Sequence, residues 1–148
     1  GQYMQDLPHH YHVNASAEST GNVTLKADDL PQIVTAPPAE FGGPGDQWSP
    51  ETLLVGAIAD CFILTFRAIA RASKIEWTNL ECSAEGVLER VERVTRFTAV
   101  TVRATLTVPA GTDTDKAERL MEKSEEACLI TRSMLAETHL AADIIIEP

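Results

Sequence analysis

The stretch that decides the fold is SPETLLVGAIADCFILTFRAIARAS, residues 49–73. Ser49 is a good helix N-cap, Pro50 fits the first helical position and Glu51 suits the first turn, so a helix begins here. Over its first two-thirds nearly every face is apolar. A helix that is apolar all round is buried all round. We therefore expect a central helix from Pro50 to about Ser73, covered by a sheet and by another element or a partner subunit.

Candidate strands lie on both sides of this helix. Two long segments after it alternate apolar and polar residues, and a charged segment joins them as a hairpin. A second helix is expected from about Asp115 to Glu126, with a break near Cys128. Three short strands and a loop rich in proline and glycine precede the central helix. The strands are expected at Tyr11–Ala17, Asn22–Lys26, Gln32–Thr35, Leu80–Leu88, Thr98–Val108 and Ala141–Ile146, the loop at Ala36–Trp48 and the hairpin end at Glu89–Arg96. This order predicts a single α+β domain over residues 1–148.

Composition excludes several classes of protein. Asp and Glu number 22 against 12 Lys and Arg, which gives a net charge of -10. No basic run is present, so neither a nucleic acid nor an anionic membrane surface is expected as a partner. The apolar stretch Leu53–Phe66 contains Asp60, and we expect it to be too short to span a bilayer. The sequence contains no GxSxG, GxGxxG or P-loop pattern.

The three cysteines are the residues that could carry chemistry. No CxxC pair is present, and an odd count without a signal peptide predicts a reducing cytoplasm. Cys82 lies on the apolar face of a strand and is expected to be structural. Cys61 and Cys128 could be packing residues or reactive thiols. Cys61 lies about three turns into the helix, so the N-terminus of that helix cannot stabilise a thiolate there. We therefore expect a cation from elsewhere in the molecule to do so. Arg132 follows Cys128 by four residues.

Four histidines are also candidates for a site. His9, His10 and His12 cluster near the N-terminus, and His139 is alone. No further ligand types are spaced to complete a metal site with them. We interpret the cluster as solvent-exposed chain and expect no metal or organic cofactor.

Two segments together resemble the OsmC/Ohr family, the osmotically induced protein C and organic hydroperoxide resistance proteins. The first is SPETLLVGAIADCF, residues 49–62, which matches a Pro-Glu-x-Leu helix start leading to Ala-x-Cys-Phe. The second is ACLITRS, residues 127–133. Cys61 and Cys128 are 67 positions apart (128 − 61), which suits the family. The resemblance extends from about Phe41 to the C-terminus.

The resemblance implies a fold and an activity. It implies an intertwined homodimer in which curved antiparallel sheets surround the buried central helices. It implies a thiol peroxidase that reduces organic hydroperoxides, with Cys61 as the attacking cysteine and Cys128 as the resolving one. An external dithiol would then reduce the Cys61–Cys128 disulfide. We expect apolar neighbours of Cys61, such as Ile58 and Phe62, to favour an alkyl substituent on the substrate.

Glu51 matches the family's helix-start glutamate, which pairs with an arginine beside the reactive thiol. Glu51 and Cys61 are ten residues apart, which is about 15 Å along one helix, so they share a site only if a dimer brings them together. The family's arginine lies in the N-terminal strands, yet here no arginine occurs before Arg67. The candidates to replace it are Lys26, a histidine from the group at positions 9–12, and Arg132.

Two other functions stay open at this stage. The same apolar interface could hold a lipid or another small hydrophobic molecule, with the cysteines serving only in packing. A hotdog-fold thioesterase also wraps a sheet around a central helix, and Asp60 or Glu51 would have to supply its carboxylate. Acyl-CoA hydrolysis that survives loss of both Cys61 and Cys128 would indicate the thioesterase.

Overall fold

The computed structural model describes residues 4–148. The chain forms two compact units, one ending at Leu53 and the other covering Leu54–Pro148. The expectation that residues 1–148 form one domain stays a prediction.

The N-terminal unit contains a three-stranded antiparallel sheet. The three short strands are present where the sequence predicts them, with narrower bounds, and pair in the order β1-β2-β3. The loop before the central helix contains only a 3₁₀ turn, Ala39–Phe41. Its ends are joined because the Ala36 N–H donates to the Trp48 carbonyl at 2.9 Å. The strands are β1 (Asn14–Ser16), β2 (Val23–Lys26) and β3 (Ile33–Thr35).

The central helix, α1, covers Pro50–Ala72. Its start is fixed by reciprocal hydrogen bonds at Ser49. The Thr52 N–H donates to the Ser49 hydroxyl at 3.1 Å, and the Ser49 N–H donates to the Thr52 hydroxyl at 2.9 Å. This arrangement satisfies amide donors that the first turn leaves free. The predicted helix start is therefore confirmed.

The C-terminal unit contains a second three-stranded sheet in the order β4-β5-β6. β4 and β5 form the predicted antiparallel hairpin, and the charged segment between them extends both strands up to a two-residue turn at Glu92 and Arg93. β6 pairs parallel to β5. The expectation of purely antiparallel sheets was wrong here, because the helices between β5 and β6 return the chain to the end of the sheet where β5 began. The strands are β4 (Asn79–Val91), β5 (Val94–Val108) and β6 (Glu137–Ile146).

One face of α1 packs into the core that it shares with this sheet. Its buried side chains recur at every fourth position and join apolar residues of β4 and β5. Other parts of α1 stay open in the single chain, since Leu54 is 37% exposed and Leu64 is 50% exposed. Within one chain the core covers only one face of α1, so the expected burial of the other faces by a partner subunit stays a prediction. The buried residues of α1 are Ile58, Phe62, Phe66 and Ala70.

The length and hydropathy of α1 bear on whether this helix could span a membrane. The helix has 23 residues and contains a window of mean hydropathy 2.0, so by length and composition alone it could cross a membrane. The expectation of too short a span concerned only the apolar stretch Leu53–Phe66, and α1 continues past Phe66 to Ala72. Core helices of soluble proteins have the same character, and the four fully buried side chains of α1 indicate such a helix.

Two more helices follow the hairpin. α2 covers Thr114–Ala127 and begins where the Asp113 side chain accepts a hydrogen bond from the Lys116 N–H. α3 covers Leu129–Arg132. Cys128 ends α2 and precedes α3 with extended backbone angles, φ −64° and ψ 108°. The predicted break near Cys128 is therefore confirmed.

Candidate functional site

The candidate site is centred on the sulfur of Cys61. Cys61 lies on α1, three residues after the buried Ile58 and one before the buried Phe62. Its side chain is only partly buried, so the sulfur keeps access to small molecules. The Thr65 hydroxyl, one turn further along α1, lies 3.7 Å from it. The helix therefore holds the sulfur at the border between the core and an open surface.

The second part of the site is the junction between α2 and α3. The backbone N–H groups of Ile130 and Leu129 lie close enough to the Cys61 sulfur to lower its pKa. These amides are available because they belong to the first turn of α3, where intrahelical acceptors are missing. The junction itself is braced at the Cys128 carbonyl, which accepts hydrogen bonds from the Thr131 hydroxyl and the Arg132 N–H, both at 3.0 Å.

These contacts set the acidity of Cys61. Burial raises the pKa of the thiol, but the Ile130 amide, the Cys128 thiol, the Thr65 hydroxyl and the Leu129 amide together outweigh it. The pKa of Cys61 is therefore held below that of an ordinary cysteine. A lowered pKa increases the thiolate fraction near neutral pH, and the thiolate is the nucleophilic form.

The source of this stabilisation differs from the expectation. We expected a cation from elsewhere in the molecule. Instead, neutral hydrogen-bond donors from a distant segment of the chain lower the pKa. The partial positive charge on free amides at a helix start lowers the pKa of a nearby thiol, as a cation would. Sequence reasoning missed Leu129 and Ile130, whose role depends on tertiary contact, and Thr65, which its spacing of four residues from Cys61 could have revealed.

Cys128 lies next to Cys61 and is almost fully enclosed. Its exposed fraction is 2%, and its thiol lies close enough to the Cys61 sulfur to lower the pKa of Cys61. Both cysteines are free thiols. The structure thus brings together the two cysteines that the sequence singled out. Their separation of 67 positions gave no geometric reason to expect this contact.

Cys82 has a different environment. Burial, assisted by the negative charge that Cys128 would carry, raises the pKa of Cys82 to about 11. Its sulfur lies 3.9 Å from the Ser83 carbonyl, an acceptor that favours the protonated thiol. Cys82 therefore stays a thiol at neutral pH, and its structural role stays a prediction.

Glu51 lies in the first turn of α1 and is only partly buried as a residue. Its Oε1 atom is nevertheless enclosed, and within residues 4–148 it has no hydrogen-bond partner. A buried carboxylate oxygen without a donor is unfavourable and normally finds a partner in the assembled protein. The described residues of the single chain do not supply this partner.

The candidates to replace the missing arginine are placed as follows. Arg132 donates its Nε–H to the Glu126 carbonyl at 2.5 Å, so it braces the end of α2. Lys26 ends β2 in the N-terminal unit. His9 hydrogen-bonds through its ring to the Gln5 carbonyl at 2.7 Å and to the Tyr11 hydroxyl at 3.2 Å. No three side chains of His, Cys, Asp or Glu in the described part of the chain are grouped so that they could hold a metal ion.

The fold and the sequence agree with one family. A family model described as OsmC-like protein matches residues 43–142. The chain therefore belongs to the OsmC-like family, which includes organic hydroperoxide resistance proteins, and the resemblance found in the sequence is confirmed. The uncharacterised protein YmaD of Bacillus subtilis is 26% identical over 137 residues, which cover 89% of this chain and 91% of YmaD.

Solved structures show the same fold. An OsmC-like protein of unknown function from Vibrio cholerae superposes with a TM-score of 0.82 at 18% identity, covering 91% of this chain and 99% of that one. An organic hydroperoxide resistance protein from Legionella pneumophila superposes with a TM-score of 0.74 at 23% identity, covering 95% and 99%. At these identities the likeness establishes the fold, and function has to be argued from the site.

Proposed function

We propose that this protein is a thiol-dependent peroxidase that reduces organic hydroperoxides to alcohols. The observation that carries the proposal is the contact between Cys61, whose pKa is lowered, and the enclosed thiol of Cys128. A partly accessible nucleophilic thiol next to a second thiol is the arrangement that two-cysteine peroxide reduction requires. Family membership supports the same reading, since named hydroperoxide resistance proteins share the fold.

In the first step the Cys61 thiolate attacks the terminal oxygen of the hydroperoxide. The sulfur–oxygen bond forms as the oxygen–oxygen bond breaks, and the alkoxide leaves and takes up a proton to become the alcohol. Sulfur loses two electrons and the peroxide gains them. Cys61 is left as a sulfenic acid. The amides of Leu129 and Ile130 and the Thr65 hydroxyl keep the starting thiolate available for this attack.

In the second step Cys128 acts as the resolving cysteine. Its sulfur attacks the sulfenic sulfur of Cys61, the sulfur–sulfur bond forms, and the hydroxyl leaves as water with the thiol proton of Cys128. Because the Cys128 thiol is close enough to Cys61 to lower its pKa, we expect a small side-chain movement to suffice. An external dithiol then reduces the disulfide by two thiol exchanges and is itself oxidised to a disulfide. Sulfur carries the oxidising equivalents throughout, so no metal or organic cofactor takes part.

The surroundings of Cys61 favour an apolar substituent on the peroxide. Ile58 and Phe62, which the sequence suggested for this role, are 0% and 1% exposed and therefore cannot contact a substrate. Leu64 and Leu129 are better candidates, since they are 50% and 66% exposed. Leu64 follows Cys61 by one turn of α1, and the Leu129 amide reaches its sulfur. We propose that these two side chains contact the alkyl group.

We propose that the active form is a homodimer in the cytoplasm. The open apolar face of α1, including Leu54 and Leu64, supports a partner subunit, since such a face is unfavourable in water. Within one straight helix Glu51 is too far from Cys61 to act on it. In the proposed dimer Glu51 of one subunit approaches Cys61 of the other, and its unpartnered oxygen finds a donor there.

A turnover assay tests this function. Protein would be supplied with dithiothreitol as the external dithiol and cumene hydroperoxide as the substrate, with hydrogen peroxide in parallel. We expect catalytic loss of cumene hydroperoxide, faster than loss of hydrogen peroxide, that disappears in Cys61→Ser and persists in the matched control Cys82→Ser. Undiminished turnover in Cys61→Ser would refute the proposal.

The open apolar face of α1 also favours one second function. A small hydrophobic molecule could bind there, with Cys61 and Cys128 serving only in packing. Recovery of a bound lipid from purified protein whose thiols do not react with peroxide would establish this alternative. Recovery of no ligand together with rapid thiol oxidation would eliminate it.

A further inference from the structure

The Thr65 hydroxyl occupies an unusual position for a helical threonine. Hydroxyl groups inside helices commonly donate to the backbone carbonyl four residues earlier. Ser124 does so, donating to the Leu120 carbonyl at 2.7 Å, and Ser133 donates to the Leu129 carbonyl at 2.8 Å. Thr65 instead hydrogen-bonds to the side chain four residues earlier, the sulfur of Cys61, at 3.7 Å.

This contact places donors on two sides of one sulfur. The amides of Leu129 and Ile130 and the Cys128 thiol approach from the junction of α2 and α3, whereas Thr65 approaches along α1. A cysteine side chain in a helix has few rotamers, so a donor on its own helix selects among them. The Thr65 hydroxyl favours the rotamer in which the sulfur faces the junction.

The charged neighbours of Cys61 do not fulfil this role. Asp60 is adjacent in sequence, exposed and of the wrong sign to stabilise a thiolate. Arg132, on α3, donates its Nε–H to the Glu126 carbonyl. Cys128 is the titratable group that lies close enough to the Cys61 sulfur to lower its pKa. Neutral donors therefore provide the local stabilisation, and Thr65 is the one side-chain hydroxyl among them.

We propose that Thr65 is a positioning residue for Cys61, whose hydroxyl holds the sulfur against the amides of α3 and next to Cys128. The proposal deepens the proposed function, because it rests on Cys61 as the nucleophile. Thr65 does not touch the substrate, so its effect reaches the reaction only through Cys61.

Three variants test this role. Thr65→Val keeps the shape of the side chain and removes the hydroxyl, and Thr65→Ser restores the hydroxyl. Ser133→Ala is the matched control, because it removes the hydroxyl of the residue that caps α3 and donates to a backbone carbonyl near the same junction. Two readouts are needed: the midpoint pH of Cys61 alkylation by iodoacetamide, followed at that residue by mass spectrometry, and the rate constant for reaction with cumene hydroperoxide.

We expect Thr65→Val to raise the alkylation midpoint by roughly half to one pH unit, with a roughly three- to tenfold slower peroxide reaction below the midpoint. Thr65→Ser should return both values to those of the unmodified protein, and Ser133→Ala should leave both unchanged. An unchanged midpoint in Thr65→Val, or a Thr65→Ser variant that behaves like Thr65→Val, would overturn the proposal. If the unmodified protein consumes no peroxide, the peroxidase function fails, yet the alkylation midpoints still decide the role of Thr65.

Discussion

The backbone amide of Ile130, in the first turn of α3, lies close to the sulfur of Cys61 on α1 and lowers its pKa. This contact joins two segments that are 69 positions apart in the chain (130 − 61). It exists because Cys128 breaks the helical path and leaves the first amides of α3 without intrahelical acceptors. Within residues 4–148 the pKa of this partly buried thiol is therefore lowered by neutral hydrogen-bond donors.

The pH dependence of thiol alkylation follows from these contacts. Burial raises the pKa of Cys61 and the surrounding donors lower it by more, so its alkylation midpoint should lie below that of the unfolded chain. Unfolding in urea should therefore raise the midpoint. Because the folded pKa is the lower one, the stability that ionised Cys61 contributes is fully present above the unfolded pKa and is lost as pH falls through the folded pKa.

Cys82 provides an internal reference for that measurement. Its pKa of about 11 predicts almost no alkylation of the folded protein at pH 8. Peptide mapping after a short exposure to iodoacetamide should therefore find label on Cys61 and not on Cys82. Faster labelling of Cys82 than of Cys61 would contradict the description of both sites.

Replacement of Cys128 separates the two chemical steps. In Cys128→Ser the first attack on peroxide should still occur, within about tenfold of the original rate, since only one neutral hydrogen-bond donor is changed. No disulfide can form, so a sulfenic acid should accumulate on Cys61 and react with dimedone. Mass spectrometry would detect the adduct. Full dithiol-dependent turnover in this variant would show that Cys128 does not resolve the sulfenic acid.

Glu51 is expected to act through its charge. Glu51→Gln keeps the size of the side chain and removes the charge of an oxygen that is enclosed and finds no partner within residues 4–148. If this oxygen pairs with a basic group in the dimer, the peroxide rate constant should fall by roughly tenfold, which is an energy of about 1.4 kcal/mol. Stopped-flow kinetics would measure the change. An unchanged rate would remove Glu51 from the proposed site.

Gly86 allows a close contact between β4, β5 and α1. A Cβ atom at this position would lie 2.8 Å from the Phe97 ring and 3.0 Å from a methyl group of Val55. Gly86→Ala should therefore lower the free energy of unfolding by about 1–3 kcal/mol through overpacking. Urea denaturation would show the loss. Val87→Ala, at an exposed neighbouring position, is the control and should change stability far less.

The tip of the hairpin stores backbone strain. Glu92 and Arg93 have φ values of 51° and 69°, which asparagine and glycine adopt more readily. The Val91 and Val94 pair flanks them, so they form a two-residue turn. The double change Glu92→Asn and Arg93→Gly should stabilise the protein by about 1 kcal/mol. A lower thermal midpoint for the double variant would contradict this description of the turn.

Features governed by local chemistry could be predicted from the sequence. The N-cap at Ser49, the hairpin and the break at Cys128 each depend on residues within a few positions of one another. The family resemblance came from two short segments and supplied the pairing of Cys61 with Cys128. The parallel pairing of β6 and the open side of α1 could not be predicted, because they depend on how distant segments pack.

The donors around Cys61 illustrate the same limit within the site. The sequence indicated that the thiolate would need stabilisation, and we expected a charged side chain to provide it. The actual donors include backbone amides, which carry no signal in residue type. Only Thr65 could have been identified, from its helical spacing, and it required knowledge of which way its hydroxyl points.

The central claim is that Cys61 and Cys128 together reduce an organic hydroperoxide, and a thiol count tests it most directly. Reduced protein would receive one equivalent of cumene hydroperoxide, with hydrogen peroxide in parallel, and the remaining thiols would be counted over time. We predict rapid loss of two thiols per chain, faster with cumene hydroperoxide and abolished in Cys61→Ser. No loss, or a slow loss equal for both peroxides, would contradict the claim and indicate that the site does not carry out this chemistry.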